Sequence, residues 1–201
     1  MDTANRNVSD VEKAALTMRA NSPFATINDL YLLLLANRKD QAMVTKIFQD
    51  MENILITGAK GQLGSELKVL SQKNPSYNYY FTDIEELDIT SAEAIENFVT
   101  ANNITKIINC AAYNDVNGAE SNFDEAVRLN VTAVASLAEC AARHDIYLIH
   151  FSSDYVFNGK KKSPYHESDR AFPISAYGKT KLAGEIAIKK SGAKSIIIRT
   201  A

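Results

Sequence analysis

The chain has 201 residues, of which 46% are hydrophobic, and its formal net charge is −2 at pH 7. This length and apolar fraction suit a globular domain with a hydrophobic core. The near-neutral charge, without a basic patch, argues against a nucleic-acid partner. The longest apolar run, at 30–36, is much shorter than the ~20 residues of a membrane-spanning helix. Polar residues open the chain, so we expect no signal peptide, no membrane partner and a cytoplasmic protein.

Residues 1–50 differ in pattern from the rest of the chain, because they contain no glycine and no strand-like run. Apolar residues at helical spacing, among them Leu30 and Leu34, predict two short helices that Pro23 separates. A segment this small buries too little surface to fold alone. Since Met51 opens the first strand-like run, we predict a helical N-terminal extension of unknown role at 1–50 and a cofactor-binding domain at 51–201.

From residue 51 onward, strand-like and helix-like segments alternate. Apolar runs predict buried strands at 53–57, 78–82, 106–110, 146–151 and 195–199. Helical patterns lie between them, at 62–72, 91–102, 122–143 and 176–190. This alternation predicts an α/β fold with a doubly wound, Rossmann-like parallel sheet and right-handed crossovers.

Short polar motifs predict where three of these helices begin or end. Thr90 with Glu93, and Ser121 with Asp124, have the spacing of a capping box and predict two helix starts. Gly192 predicts the end of the last helix, because glycine readily takes the left-handed conformation that ends helices.

Three glycines follow the first predicted strand at a spacing of three residues: Gly58, Gly61 and Gly64. Such a loop lets a strand turn into a helix whose backbone N–H groups can bind a dinucleotide pyrophosphate. The same spacing also fits a tight turn that serves packing alone. Asp83 ends the second predicted strand, where a carboxylate can accept hydrogen bonds from a ribose and repel a 2′-phosphate. We therefore favour NADH slightly over NADPH, the alternative being that Asp83 is an exposed loop acid.

Tyr177 and Lys181 lie four residues apart and so share one face of the last helix. A neighbouring ammonium, together with an oxidised nicotinamide, should lower the pKa of the phenol, which could then pass a proton to a carbonyl oxygen. Ser153, at the end of the preceding strand, could donate a hydrogen bond to that carbonyl. Alternatively, these are ordinary helix and strand residues. His150 is expected to be a hydrogen-bonded core histidine rather than an acid–base group.

Longer motifs carry a resemblance to a known family. They are TGAKGQLGSEL at 57–67, NCAAY at 109–113, SSDYVFNG at 152–159 and YGKTKLAGE at 177–185. Together they resemble the dTDP-4-dehydrorhamnose reductases of the extended short-chain dehydrogenase/reductase superfamily, and the likeness covers residues 51–201 only. It implies an NADH- or NADPH-dependent oxidoreductase that reduces the 4-keto group of dTDP-4-dehydrorhamnose, a nucleotide-sugar, in dTDP-L-rhamnose biosynthesis.

The resemblance also implies roles for individual residues. The pyrophosphate of the cofactor would contact Gly61, Gln62 and Leu63. Its adenine end would contact Asp88 and Ile89, and its nicotinamide side would contact Ala112, Tyr113 and Asn114. Ser153 and Asp154 would contact the sugar, and Tyr177 and Lys181 would serve both catalysis and cofactor binding. Glu66 matches a position that helps to bind Mg²⁺ at a dimer contact, which would make the protein a homodimer; the alternative is an exposed helical acid.

Some features depart from the family pattern. Ser153 stands where the family usually has threonine, and the segment 116–120 replaces an acid–base pair with neutral residues. Family members also continue into a C-terminal substrate domain, so we expect a truncated reductase that binds cofactor but turns over little substrate. The alternatives are a non-catalytic regulatory subunit, like that of methionine adenosyltransferase, and another nucleotide-sugar epimerase or dehydratase.

Overall fold

The computed structural model of the chain describes residues 53–73 and 77–200. Within them, five parallel strands form one sheet in the order β2-β1-β3-β4-β5. The strands are β1 (Asn53–Thr57), β2 (Asn78–Thr82), β3 (Lys106–Asn109), β4 (Tyr147–Ser153) and β5 (Ser195–Thr200). The predicted doubly wound parallel sheet is confirmed. Because the chain reverses direction across the sheet after β2, a crevice opens at the carboxyl ends of β1 and β3.

Helices cover both faces of this sheet. They are α1 (Gln62–Ser71), α2 (Ala92–Ala101), α3 (Gly118–Ser121), α4 (Phe123–Val127), α5 (Ala133–Arg143) and α6 (Ala176–Ser191). A π-helical turn at Arg128–Thr132 joins α4 to α5, and a 3₁₀ turn at Asp154–Val156 follows β4. The region predicted as one helix at 122–143 is therefore interrupted, and π turns of this kind often lie at functional sites. The two helices predicted within residues 1–50 lie outside the described residues.

Two of the three predicted helix boundaries are wrong in detail. Ser91, not Thr90, caps α2, and its hydroxyl accepts a hydrogen bond from the N–H of Ala94. α4 begins after Asn122 and no side chain caps it, so the capping box predicted at Ser121 is not formed. At the end of α6, Gly192 takes a left-handed conformation with φ of 76°, as predicted.

The two faces of the sheet bury separate hydrophobic clusters, because side chains alternate along each strand. Leu55, Ile107 and Leu148 pack with residues of α2, α5 and α6 on one face. Ile54 and Ile56 pack with Leu67 of α1 on the other. Each fully buried aliphatic side chain of this size contributes about 1.5–3 kcal/mol to folding. None of the helices in the described part of the chain has the length and hydropathy to cross a membrane.

Candidate active site

The glycine loop joins β1 to α1 at the crevice. Gly58 has a positive φ of 66°, which favours glycine. A Cβ atom at Gly58 would lie 2.6 Å from the N atom of Ala111, and one at Gly64 would lie 2.4 Å from the carbonyl O of Gly58. Neither position has room for a side chain. These glycines therefore let the loop approach the end of β3 and let α1 pack closely on the loop.

The N-terminus of α1 faces this crevice without a protein group that neutralises it. α1 begins after Gly61; its first turn has no side-chain cap and no acidic residue. The first N–H groups of a helix have no partner within the helix, and its dipole places positive potential there. An anionic group such as a pyrophosphate is favoured at this position.

A cavity of about 180 Å³ lies between the glycine loop, the ends of β3 and β4, and α6. Seven predicted site residues line it: Gly61, Gln62, Leu63, Ala112, Asn114, Tyr177 and Lys181. Four other residues that were not predicted from the sequence also line it: Cys110, Phe151, Ser152 and Thr200. Three of these four lie at the ends of β4 and β5, so the same rule that identified Ser153 would have found them.

Lys181 lies almost completely buried at the wall of this cavity, with 3% of its surface exposed. Its Nζ donates a hydrogen bond of 2.8 Å to the carbonyl O of Phe151. Burial lowers the pKa of Lys181 to about 8, and the nearby Glu185 carboxylate acts in the opposite direction. The pKa of Lys181 therefore lies close to neutral pH, and its ammonium lies beside a site that favours anions.

Tyr177 is buried one helical turn before Lys181, and its ring packs edge-on against Tyr155 at 5.6 Å. Burial raises the pKa of Tyr177, an interaction with Ser153 lowers it, and the Asp154 carboxylate raises it further. Lys181 is not among the groups that shift this pKa in the chain without cofactor, and its ammonium is directed at the Phe151 carbonyl.

Ser153 and Asp154 lie together at the end of β4. The Ser153 hydroxyl donates to Oδ1 of Asp154 at 3.1 Å and accepts from the N–H of Tyr155 at 3.2 Å. Its single proton cannot also be donated to a carbonyl. A substrate carbonyl at this point would therefore compete with Asp154 for the Ser153 proton.

The residues predicted for the adenine side do not line the cavity. The Asp83 carboxylate accepts a hydrogen bond of 2.9 Å from the N–H of Lys60, which ties the end of β2 to the glycine loop. Asp88 accepts hydrogen bonds from the N–H and hydroxyl of Thr90, and these bonds lower its pKa. The Ile89 side chain belongs to the hydrophobic core, so only its backbone could contact a ligand.

Asn130, in the π-helical turn, was missed by the sequence analysis. Its side chain accepts a hydrogen bond of 2.9 Å from the N–H of Tyr113 and donates to the carbonyl O of Tyr113 and to Oγ1 of Thr180, both at 3.1 Å. It therefore fastens the loop after β3 to α6. In the sequence, the feature that could have indicated its role is a polar amide within the amphipathic helical pattern of 122–143.

A buried polar chain crosses the carboxyl ends of β1, β3 and β4. Thr57 donates to Oδ1 of Asn109 at 2.7 Å, and the Asn109 amide lies 3.1 Å from Nδ1 of His150. Burial lowers the pKa of His150 to about 3, so it is neutral. His150 is thus a core residue, as predicted, although its Nε2 atom has no hydrogen-bond partner.

Glu66, the predicted Mg²⁺ residue, is exposed on α1. In the described part of the chain, the grouping of three potential metal ligands comprises Glu96, Cys140 and His144, and Glu66 is not a member. The Glu96 carboxylate is already engaged by Arg143 at 2.6 Å. The Mg²⁺ site and the homodimer stay predictions.

Residues 51–201 match the family described as the RmlD substrate binding domain. The chain belongs to this family. A dTDP-4-dehydrorhamnose reductase of Aggregatibacter actinomycetemcomitans is 42% identical over 150 residues, which are 75% of this chain and 51% of that protein. One from Mycobacterium tuberculosis is 39% identical over 154 residues, which are 75% of this chain and 50% of that protein.

Solved structures of RmlD-family reductases agree with the fold. The dTDP-4-dehydrorhamnose reductase of Clostridium acetobutylicum has a TM-score of 0.71 and 40% identity, over 74% of this chain and 53% of that one. The reductase of Bacillus anthracis, solved in complex with NADP, has a TM-score of 0.71 and 36% identity, over 74% of this chain and 53% of that one. The resemblance found in the motifs is confirmed, and the chain spans about half the length of the curated relatives it matches.

Proposed function

We propose that this chain supplies the nicotinamide-binding half of a dTDP-4-dehydrorhamnose reductase, which reduces the 4-keto group of dTDP-4-dehydrorhamnose to give dTDP-L-rhamnose. One observation carries the proposal: the uncapped start of α1 and the Tyr177–Lys181 pair of α6 line the same cavity. The names of the relatives and the NADP in one related structure support it.

The glycine loop fits a dinucleotide cofactor. Its pyrophosphate would lie against the N–H groups of Gln62 and Leu63, where the α1 dipole favours negative charge. When bound, the reduced nicotinamide supplies a hydride to the substrate carbonyl carbon. Ala112 and Asn114, which the family resemblance implies on the nicotinamide side, also line the cavity.

Side chains of the chain supply the proton and the orientation. Because burial raises the pKa of Tyr177, the phenol is held protonated and can give its proton to the carbonyl oxygen. Ser153 would turn its hydroxyl from Asp154 towards the same oxygen. Lys181 would hold the nicotinamide ribose and stabilise the phenolate that the proton transfer leaves.

We further propose a modest preference for NADH over NADPH. The adenosine ribose would lie at the end of β2, beside the carboxylates of Asp83, Glu85 and Glu86. Lys60 is the neighbouring cation, and Glu85 already binds its Nζ at 2.6 Å. A 2′-phosphate would therefore meet net negative charge.

Calorimetric titration of NADH and NADPH into the purified chain tests the cofactor proposal. We expect both to bind, NADH a few-fold more tightly, and we expect Lys181→Met to weaken both. Lys179→Met is the matched control, because Lys179 is exposed on the same helix. Absence of binding at millimolar cofactor would overturn the proposal.

The reductase proposal requires a substrate assay. Because the chain spans about half of its relatives, the C-terminal half of a related reductase would be fused after residue 201. The fusion should oxidise NADH when dTDP-4-dehydrorhamnose is added, and Tyr177→Phe should slow this by about 10²–10⁴-fold, as expected for loss of a general acid. A near wild-type rate in Tyr177→Phe would contradict the catalytic assignment.

A further inference from the structure

Glu185 is a buried acid that lies one helical turn after Lys181 on α6. Only 1% of its side chain is exposed, and Arg199 of β5 is 15% exposed. The guanidinium donates two hydrogen bonds to the carboxylate, from Nε to Oε1 at 2.7 Å and from a terminal nitrogen to Oε2 at 2.6 Å. A planar bidentate pair of this kind fixes the orientation of both groups.

The Arg199 guanidinium also contacts an aromatic stack. It lies 4.9 Å from the ring centroid of Phe157, and Phe157 stacks in parallel on Tyr165 with 4.2 Å between centroids. The Tyr165 hydroxyl donates to Oδ1 of Asn158 at 3.0 Å. One side chain therefore connects α6 to the segment that follows β4.

That segment follows Ser153 and Asp154, the two residues predicted to contact the sugar. Phe157 directly follows the 3₁₀ turn at Asp154–Val156, and its N–H donates to the carbonyl O of Asp154 at 2.9 Å. Within the turn, Tyr155 packs edge-on against Tyr177. Phe157 is thus tied through its backbone to the turn that places Tyr155 against the phenol.

We propose that Arg199 is a positioning residue of this site: through Phe157 it holds the 3₁₀ turn beside Tyr177, and through Glu185 it controls the charge next to Lys181. Its role in the reaction rests on the proposed function. Lys181 and Arg199 are two cations that compete for one buried carboxylate. As long as Arg199 occupies both oxygens of Glu185, Lys181 is available to a ligand in the cavity.

The groups that face Lys181 determine how this effect can be measured. The titratable and charged groups around it are Tyr177 and Glu185 on α6, His150 on β4, Cys110 after β3, and Arg199 behind Glu185. His150 is neutral above a pH of about 3 and the pKa of Cys110 is raised to about 12. The bidentate pair of Glu185 and Arg199 is therefore the arrangement whose change the titration of Lys181 can report.

The test is the NMR titration of the lysine Cε signals in the full chain labelled with ¹³C-lysine, without ligand. The Lys181 signal is assigned by its loss in Lys181→Arg. In Arg199→Gln we expect the Lys181 midpoint to rise by about one pH unit, since a freed carboxylate then pairs with the ammonium. In Glu185→Gln, which keeps the side-chain size, we expect the midpoint to fall below that of the wild type.

A purely structural role would lower the unfolding midpoint without moving this titration. Arg143→Gln is the matched control, because it removes an exposed pair with Glu96 and should leave the Lys181 midpoint unchanged. A wild-type midpoint in Arg199→Gln overturns the proposal. If that variant does not fold, an unchanged midpoint in Glu185→Gln overturns it equally.

A second measurement separates this inference from the proposed function. Arg199→Gln should bind NADH about ten-fold more weakly at pH 7, because a ligand would have to displace the freed Glu185 carboxylate from the Lys181 ammonium, and a pairing that raises the midpoint by one unit corresponds to a ten-fold change. If the wild-type chain bound no NADH, the proposed function would fail, and the ligand-free lysine titration would still decide the role of Arg199.

Discussion

The pKa of Lys181 predicts how the proposed cofactor binding should depend on pH. Burial lowers this pKa from 10.5 to about 8, so the folded chain releases the proton at a lower pH than the unfolded chain does. A folded-state pKa below the unfolded value makes stability rise with pH between about 8 and 10.5. Cofactor binding should show the opposite trend, because the charged ammonium is the form that an anionic dinucleotide favours.

We therefore predict that NADH affinity is constant below pH 7 and falls as the pH rises through about 8. Above the midpoint the fall should approach about ten-fold per pH unit if only the charged form binds. Calorimetric titrations at intervals from pH 6.5 to 9.5 measure it. Lys181→Arg stays charged throughout, so its profile should be flat; a wild-type profile as flat as that of Lys181→Arg would contradict the prediction.

His150 determines part of the acid sensitivity. Its pKa is lowered from 6.5 to about 3 because the ring is buried, so the neutral ring is the form that folds. The stability that this provides is complete above pH 6.5 and is lost as the pH falls towards 3, at about 1.4 kcal/mol per pH unit. Arg143 and His144 lower the pKa of the Glu96 carboxylate from 4.5 to about 2. Protonation of Glu96 therefore lowers the folding stability only below pH 4.5.

We predict that His150→Gln flattens the dependence of unfolding free energy on pH between 6.5 and 4.5. Glutamine can still accept the hydrogen bond from Asn109 and does not titrate. Urea denaturation at several pH values measures the slopes. Equal slopes for wild type and variant in this window would show that His150 is not the responsible group.

At the same scale, the sequence identified residues whose roles depend on local spacing. Gly58, Tyr177 and Lys181 belong to short motifs, and the structure places them around one crevice. Arg199 and Asn130 were not identified, because their partners lie in other elements of the fold. Arg199 of β5 binds Glu185 of α6, and Asn130 of the π-helical turn binds Tyr113 in the loop after β3. Only the fold brings such pairs together.

At the scale of elements, the β1–loop–α1 unit shows why glycine spacing is informative. A Cβ atom at Gly64 would meet backbone at 2.4 Å, whereas one at Gly61 would approach the carbonyl O of Gly58 at 3.2 Å and meet nothing closer. We predict that Gly64→Ala lowers the free energy of unfolding by about 1–3 kcal/mol, the usual cost of overpacking. Gly61→Ala should cost less. Chemical denaturation of both variants measures this, and equal losses would contradict the packing argument.

Periodicity predicted the helices and strands well but not their interruptions. Apolar spacing over 122–143 fits one helix, because it reports only which face is buried. The π turn at Arg128–Thr132 and its inward Asn130 depend on contacts with Tyr113 and Thr180, which no periodicity contains. The cap of α2 also differs from the prediction because of local hydrogen bonds. The N–H and hydroxyl of Thr90 donate to Asp88, and the hydroxyl of Ser91 caps the helix instead.

At the scale of the whole molecule, the described sheet contains the elements that a cofactor half needs. Within the described residues, this unit contains the hydrophobic clusters on both faces of the sheet and the side chains found to line the cavity. The family match begins at residue 51, where the sequence predicted a domain boundary. The division at this point stays a prediction, and it rests on the absence of strand–helix alternation in the sequence of residues 1–50.

We predict that a chain starting at Met51 folds and binds NADH as the full chain does. If residues 1–50 are a separate extension, as the sequence predicts, the hydrophobic clusters on the two faces of the sheet and the cavity should persist without them. The unfolding midpoint in urea and the dissociation constant for NADH should then match those of the full chain. A matched deletion that also removes β1, starting after Thr57, should abolish cooperative unfolding, because β1 is paired with both β2 and β3. A marked loss of stability in the chain starting at Met51 would instead place residues 1–50 within the folding unit.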